Sequence, residues 1–441
     1  MIELAFVTEK NGLPKEGATV MYSMLKIASS LPASEKQRLP LNISIALDRS
    51  GSMNGFPLQE AKTCIEMMID RLSVNDHLSL VSYDDTIEVE FEPTRVTDKE
   101  RLKDKVRSIH SGGMTALYDG WSSAAELATK NLGKKSITRV LLLSDGQANH
   151  GLTDQAEICK HCSQLAKLGV YTTTYGLGEG FNEELMTSMA KAGKGLAHYG
   201  QTADDLSDPF HTEFDLLGAL VAKNLQMHLI AEPGITFEVL NKYQRQTDGS
   251  FILSDLAAGG ELWALLKIDV TDRALARASS GKLRIMTGFL DFETMEGEKF
   301  RSDHVNLEIN LLSVEEYTQL TSDELVQRRR IELDAANLQD AARVAARRRD
   351  WSQVNELIRR IELLGEENEW VAEGVSQLKA YAQRRETERF SKEAFYKADR
   401  MRTRMGIENE SAFYSASEEL RLPSFLRRKI EQGKKQMPKR D

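Results

Sequence analysis

The side chains of this chain best placed for chemistry are oxygen donors. Asp48-Arg49-Ser50-Gly51-Ser52 follows the apolar run Leu41-Asn42-Ile43-Ser44-Ile45-Ala46-Leu47, which reads as a buried β-strand. A helical pattern begins soon after, near Pro57. One carboxylate and two hydroxyls are therefore expected on a tight turn at the carboxyl end of a strand, where open α/β sheets bind ligands. The set holds no thiol or imidazole. Oxygen-only sets suit hard cations such as Mg²⁺, Mn²⁺ or Ca²⁺. Alone, the pattern is also that of an ordinary turn, because Asp and Ser side chains bond nearby backbone.

Two further stretches have the same character. Ser111-Gly112-Gly113-Met114-Thr115-Ala116-Leu117-Tyr118-Asp119-Gly120 is a glycine loop that reaches a hydroxyl residue just before a helix. Arg139-Val140-Leu141-Leu142-Leu143-Ser144-Asp145-Gly146 is a second buried strand, ending in a carboxylate and a glycine.

Together the three stretches resemble the metal-ion-dependent adhesion site of von Willebrand factor type A domains. That family uses Asp-x-Ser-x-Ser, a distal Thr and a distal Asp. Asp48, Ser50, Ser52, Thr115 and Asp145 match it in order and in strand–loop–helix context. The resemblance covers roughly residues 41 to 205. It implies a metal site in which Ser50, Ser52 and Thr115 bring neutral oxygens. Asp48 and Asp145 supply charge, directly or through water. Mg²⁺ is the expected ion, with Mn²⁺ and Ca²⁺ as alternatives. The remaining position goes to water or to an Asp or Glu from a protein partner. Bacterial proteins with this domain are similar in layout and work beside an ATPase or in multiprotein assemblies. Gly112 and Gly113 read as freeing the Thr115 loop to switch between direct and water-mediated contact.

The elements that must position these residues alternate strand and helix from Leu41 onward, the pattern of a doubly wound, mostly parallel α/β sheet. Helices are expected near Pro57–Leu72, Asp98–Ile109, Tyr118–Asn131, Asp154–Leu168 and Asn182–Ala192. Strands are expected near His77–Tyr83, Thr86–Phe91, Val170–Leu177 and Leu196–Tyr199. A helix near Ala203–Glu213 closes the domain, which spans 41–213.

Residues 214–313 carry short strands separated by Gly, Asp and Pro turns, as in a β-sandwich. Leu262-Trp263-Ala264-Leu265-Leu266-Lys267-Ile268 is its most buried candidate. Two alternating strands within residues 1–40 are expected to complete the sandwich, ahead of a polar linker from Ser29 to Pro40. Residues 314–408 read as a helical hairpin or bundle. The cluster Arg328-Arg329-Arg330 reads as a solvated helix face. Residues 409–441 form a basic tail expected to be flexible.

At 441 residues with 41% hydrophobic content, two or three domains with buried cores are expected. A net charge of −9 excludes nucleic-acid binding by bulk electrostatics. No apolar run is long enough to span a bilayer. The N-terminus lacks the basic and apolar regions of a secretory signal. Three cysteines argue against a disulfide framework. Cys159 and Cys162 fall inside a helical pattern and Cys64 reads as core, so a cytoplasmic setting is expected. No nucleophile–base pair stands out, and the chain reads as a binding protein, not an enzyme. The competing readings are a metal-dependent hydrolase, for which only Asp119 and His150 offer a base, and a structural scaffold. His77 also lies within sequence reach of the site.

Overall fold

The structure, a computed structural model, describes residues 2–29, 39–133, 136–145, 148–177, 181–200, 217, 219–403 and 406–407. Most of the expected linker, the helix expected near Ala203–Glu213 and the basic tail lie outside these residues. The chain forms two compact units, Met1–Glu35 with Ala219–Asp441, and Lys36–Gly218.

In the first unit, β1 (Ile2–Thr8) pairs antiparallel with β3 (Thr19–Ser29), and the short β2 (Leu13–Pro14) lies between them in sequence.

The second unit runs β4 (Leu41–Asp48), α1 (Phe56–Arg71), β5 (His77–Tyr83), β6 (Ile87–Arg95), α2 (Lys99–Arg107), α3 (Leu117–Lys130), β7 (Ile137–Ser144), α4 (Gln155–Lys167), β8 (Val170–Leu177), α5 (Glu183–Ala192) and β9 (Lys194–Gly200). Its sheet has the order β6-β5-β4-β7-β8-β9. All neighbours are parallel except β6, an antiparallel edge. This is the doubly wound α/β class expected from the sequence. Every residue of β4, β7 and β8 is buried. Helices thus cover both faces, and the stretches 45–47 of β4 and 140–143 of β7 read as unbroken apolar runs. On α1, Leu58, Ala61, Cys64, Ile65, Met68 and Ile69 form the buried face, with Pro57 in the first turn. Asp154 and Asn182 cap α4 and α5, each accepting a hydrogen bond from the third residue on.

The first unit resumes with β10 (Leu220–Ala231), β11 (Ile235–Val239), β12 (Phe251–Ile252), β13 (Leu256–Ala257), β14 (Gly260–Val270), β15 (Lys282–Thr294), β16 (Lys299–Arg301), β17 (Val305–Leu312) and β18 (Gly406–Ile407). One sheet is β1-β3-β14-β11, with β18 paired to β14; the other is β12-β10-β15-β17-β2. Leu266, Ile268 and Val270 of β14 share a core with Leu283 and Ile285 of β15 and with Leu307 and Ile309 of β17. The alternate residues Trp263 and Leu265 pack with Met24, Val326 and Leu333. Strand β14 is thus covered by the opposite sheet on one side and by the helix Glu324–Arg347 on the other.

That helix begins an all-helical stretch, continued by Trp351–Gly365, Glu369–Arg384 and Thr387–Thr403. Connections of two or three residues make consecutive helices antiparallel. Their shared core contains Ala335, Ala342, Val354, Ile358, Ile361, Val371, Leu378, Phe390 and Ala398.

The solvated-face reading of Arg328–Arg330 fails at its middle residue. Arg329 is fully buried, its guanidinium 4.6 Å from the centre of the Trp263 ring and 3.1 Å from Glu332 Oε2. Charge patterning cannot separate an exposed arginine from one stacked on an aromatic ring and paired with an acid. Arg330 reaches Glu9 Oε1 at 2.7 Å and lies over Tyr22.

The buried pair yields a stability prediction. Arg329→Met removes the cation beside the buried Glu332 carboxylate, which Asn368 Nδ2 also reaches at 3.4 Å, and should cost about 3–5 kcal/mol, whereas replacing both residues by Met should recover most of that loss. Urea unfolding followed by circular dichroism measures both changes.

Candidate metal centre

Strands β4, β5 and β7 end level with one another. Asp48 is in register with Tyr83, and Leu47 with Leu143. The turn after Asp48, the loop after Tyr83 and the loop after Ser144 therefore emerge side by side. The glycine loop before α3 is tied to this group by main-chain bonds. Gly51 N donates to Gly113 O at 2.8 Å, Gly112 N to Arg49 O at 2.7 Å, and Ala116 N to Asp84 O at 2.8 Å. Asn149 N and His150 N both donate to Thr115 O at 3.2 Å. Ser111 Oγ donates to Asn54 Oδ1 at 3.0 Å.

The five residues singled out in the sequence sit on these adjoining loops. Asp48, Ser50, Thr115 and Asp145 are buried, and Ser52 is exposed. Asp48 Oδ1 accepts from Ser50 N at 2.9 Å, and its Oδ2 accepts from Ser144 Oγ at 2.5 Å. The Ser50 and Ser52 hydroxyl oxygens lie 3.2 Å apart. Thr115 N donates to Asn149 Oδ1 at 2.8 Å. Asp145 O accepts from Asn182 N at 3.1 Å, which ties its loop to the start of α5.

Burial is the main force on Asp48. It pushes the carboxyl up to about 6, against the lowering effect of the Ser144 and Ser50 hydrogen bonds, and the nearby Asp145 charge adds to the rise. Ionising the group in this setting carries a desolvation cost. A cation beside it would offset that cost. Tyr83 is fully buried in the same place, and burial with the Asp48 and Asp145 charges keeps its phenol neutral. Among the described residues, no three or more His, Cys, Asp and Glu side chains come together to hold a metal ion. A cation here must therefore use hydroxyls as well as carboxylates. The oxygen donors of Asp48, Ser50, Ser52, Thr115 and Asp145 are of the kind a hard cation takes.

Several residues around the site escaped the sequence reading. Ser144, Tyr83, Asn149 and Asp84 all touch or hold its parts. Burial pushes the Asp84 carboxyl up, but hydrogen bonds from Thr86 and Gly113 and the Arg49 charge outweigh it and hold the group below the usual carboxylate range. His77 starts β5, about 20 Å of strand away from the site end. It takes no part. His150 stands beside Thr115 through its main chain, with an exposed side chain. Cys159 and Cys162 lie on α4, and none of the three cysteines forms a disulfide.

Residues 42–212 match the family model of the von Willebrand factor type A domain. Similar curated proteins include the uncharacterized protein sll0103 of Synechocystis, 28% identical over 49% of this chain and 50% of that protein. The uncharacterized protein YfbK of Escherichia coli is 24% identical over 59% of this chain and 47% of its own. The chain spans about half the length of these two relatives. Among solved structures, a von Willebrand factor type A protein from Catenulispora acidiphila superposes with a TM-score of 0.67 at 15% identity, covering 85% of this chain and 89% of that one. The ArnB paralog VWA2 from Sulfolobus acidocaldarius superposes with a TM-score of 0.58 at 14% identity, covering 91% and 98%. These structures share the fold over most of the chain.

The Ser144 contact can be tested directly. Ser144→Ala removes a hydrogen bond to a buried charge and should destabilise the metal-free protein by about 1.5–3 kcal/mol. Chemical denaturation in EDTA at neutral pH reads the change.

Proposed function

We propose that the protein, whose α/β unit matches the family model of the von Willebrand factor type A domain, is a metal-dependent protein–protein interaction module. Asp48, Ser50, Ser52, Thr115 and Asp145 hold one divalent cation, Mg²⁺ first, with Mn²⁺ and Ca²⁺ as alternatives. The observation that carries this reading is the fully buried Asp48 carboxyl, next to the Asp145 loop, at the meeting of loops stitched together by main-chain bonds.

Each residue has a defined part. Asp48 and Asp145 bring the negative charge. Ser50, Ser52 and Thr115 bring neutral oxygens, which leave the field of a bound ion strong toward an outside ligand. Arg49 is engaged with Asp84, Thr86 and Glu88, so its charge is already partnered. When bound, the ion offers a coordination position to a carboxylate from outside. The partner supplies that group as an Asp or Glu side chain. Three cysteines outside any disulfide fit a reducing compartment, and we place the module in the cytoplasm, within a multiprotein assembly.

Calorimetric titration of the full chain with Mg²⁺ should show a single site, weakened at least tenfold in Thr115→Ala and in Asp145→Ala with the fold intact by circular dichroism. Capture of protein partners should be lost in EDTA and in both variants. Equal Mg²⁺ uptake by wild type and both variants would show the reading to be wrong.

A further inference from the structure

Asp84 lies outside the pattern that marks the metal centre, yet its contacts converge on it. It follows the last residue of β5 and is only 5% exposed. Its Oδ1 accepts from Thr86 N and Thr86 Oγ1, both at 2.8 Å, which closes the local turn into β6. A turn of this kind needs only that one oxygen. The second oxygen reaches out of the turn: Oδ2 accepts from Gly113 N at 3.1 Å. The main-chain oxygen of the same residue accepts from Ala116 N at 2.8 Å. Asp84 thus grips the glycine loop on both sides of Thr115.

It also grips the first loop of the site. Arg49 stands between Asp48 and Ser50, and its Nη2 lies 3.6 Å from Asp84 Oδ1. The Arg49 main chain donates to Tyr83 O at 2.8 Å and accepts from Gly112 N at 2.7 Å. One carboxylate therefore joins the Asp-x-Ser-x-Ser turn to the Thr115 loop.

The two glycines follow from this arrangement. A Cβ on Gly112 would run into the Asp84 carboxylate, and one on Gly113 into that of Asp85. Neither glycine has a positive φ. They are needed for space and not for an unusual backbone conformation.

We propose that Asp84 is a positioning residue for Thr115, fixing through Gly113, Ala116 and Arg49 the distance between the threonine and the Ser50–Ser52 turn. The proposal rests on the metal-centre reading above. It assigns the glycine loop a clamped state in place of a freely hinged one. Asp84 itself supplies no ligand to the ion.

The test compares full-length wild type, Asp84→Asn, Asp84→Ala and Thr115→Ala in two measurements. The first is calorimetric titration with Mg²⁺. The second is amide hydrogen exchange in the metal-free proteins. Asp84→Ala should weaken Mg²⁺ binding by about 10–100-fold and speed exchange across 111–117, with β4 and β7 unchanged. Asp84→Asn keeps an oxygen for Gly113 N and should fall between the two, which also guards against a variant that does not fold. Unchanged exchange across 111–117 in Asp84→Ala overturns the proposal. Faster exchange with unchanged Mg²⁺ affinity also overturns it, by reducing Asp84 to a structural role. If wild type and Thr115→Ala take up Mg²⁺ equally, the metal-centre reading fails on its own, and the exchange data still decide whether Asp84 holds the loop.

Discussion

A carboxylate at the end of a fully buried strand is the constraint around which the α/β unit is arranged. Asp48 has no exposed surface, and its two oxygens are met by Ser50 N and Ser144 Oγ. Removing a charge from water is expensive, and those two bonds only partly offset it. The sheet must therefore bring β7 beside β4 in a register that sets Ser144 level with Asp48. It must also place β5 on the other side, so that Tyr83 and the loop after it close the neighbourhood. Parallel strands joined by crossover helices do this by bringing their carboxyl ends level. The same arrangement gathers the loops that carry Ser50, Ser52, Thr115 and Asp145.

The other unit meets a different demand. Strand β14 has no solvent face over most of its length, because sheet and helix cover its two sides. Trp263 packs with Met24, Val326 and Leu333, and the Arg329 guanidinium lies on its ring. Glu332 balances the arginine within one turn of helix. The bundle's first helix thus meets the sheet through apolar contacts and a buried ion pair together.

Much of this was legible in the sequence where one physical signal dominated. The strands His77–Tyr83 and Val170–Leu177 were read to the residue, because buried side chains and turn residues bound them sharply. The helices expected from Asp154 and Asn182 begin one residue later, because those side chains serve as caps and stay outside the first turn. The oxygen-rich pattern picked out residues that the structure sets on adjoining loops. Residues defined only by distant partners stayed hidden. Ser144 acts on Asp48 across nearly a hundred positions. Asp84 acts on Gly113 from another strand end. Arg329 looks like any surface arginine until Trp263 lies beneath it. Gly112 and Gly113 read as a hinge, whereas the space they leave is filled by neighbouring carboxylates. Local sequence reports conformational freedom well and reports close approach poorly.

The interleaving of the two units has a consequence for how the chain is made. Strand β3 pairs with β14 from Thr19↔Val270 to Ala28↔Glu261, and the whole of Lys36–Gly218 lies between them in sequence. On a ribosome the β1–β3 hairpin emerges before the α/β unit, with one edge unpaired until β14 arrives. The α/β unit is completed in the interval and can fold on its own contacts. Pairing β3 with β14 then closes a loop whose entropy cost grows only slowly with its length. The order of synthesis thus leaves the waiting hairpin edge as the point where a nascent chain is most open to mispairing.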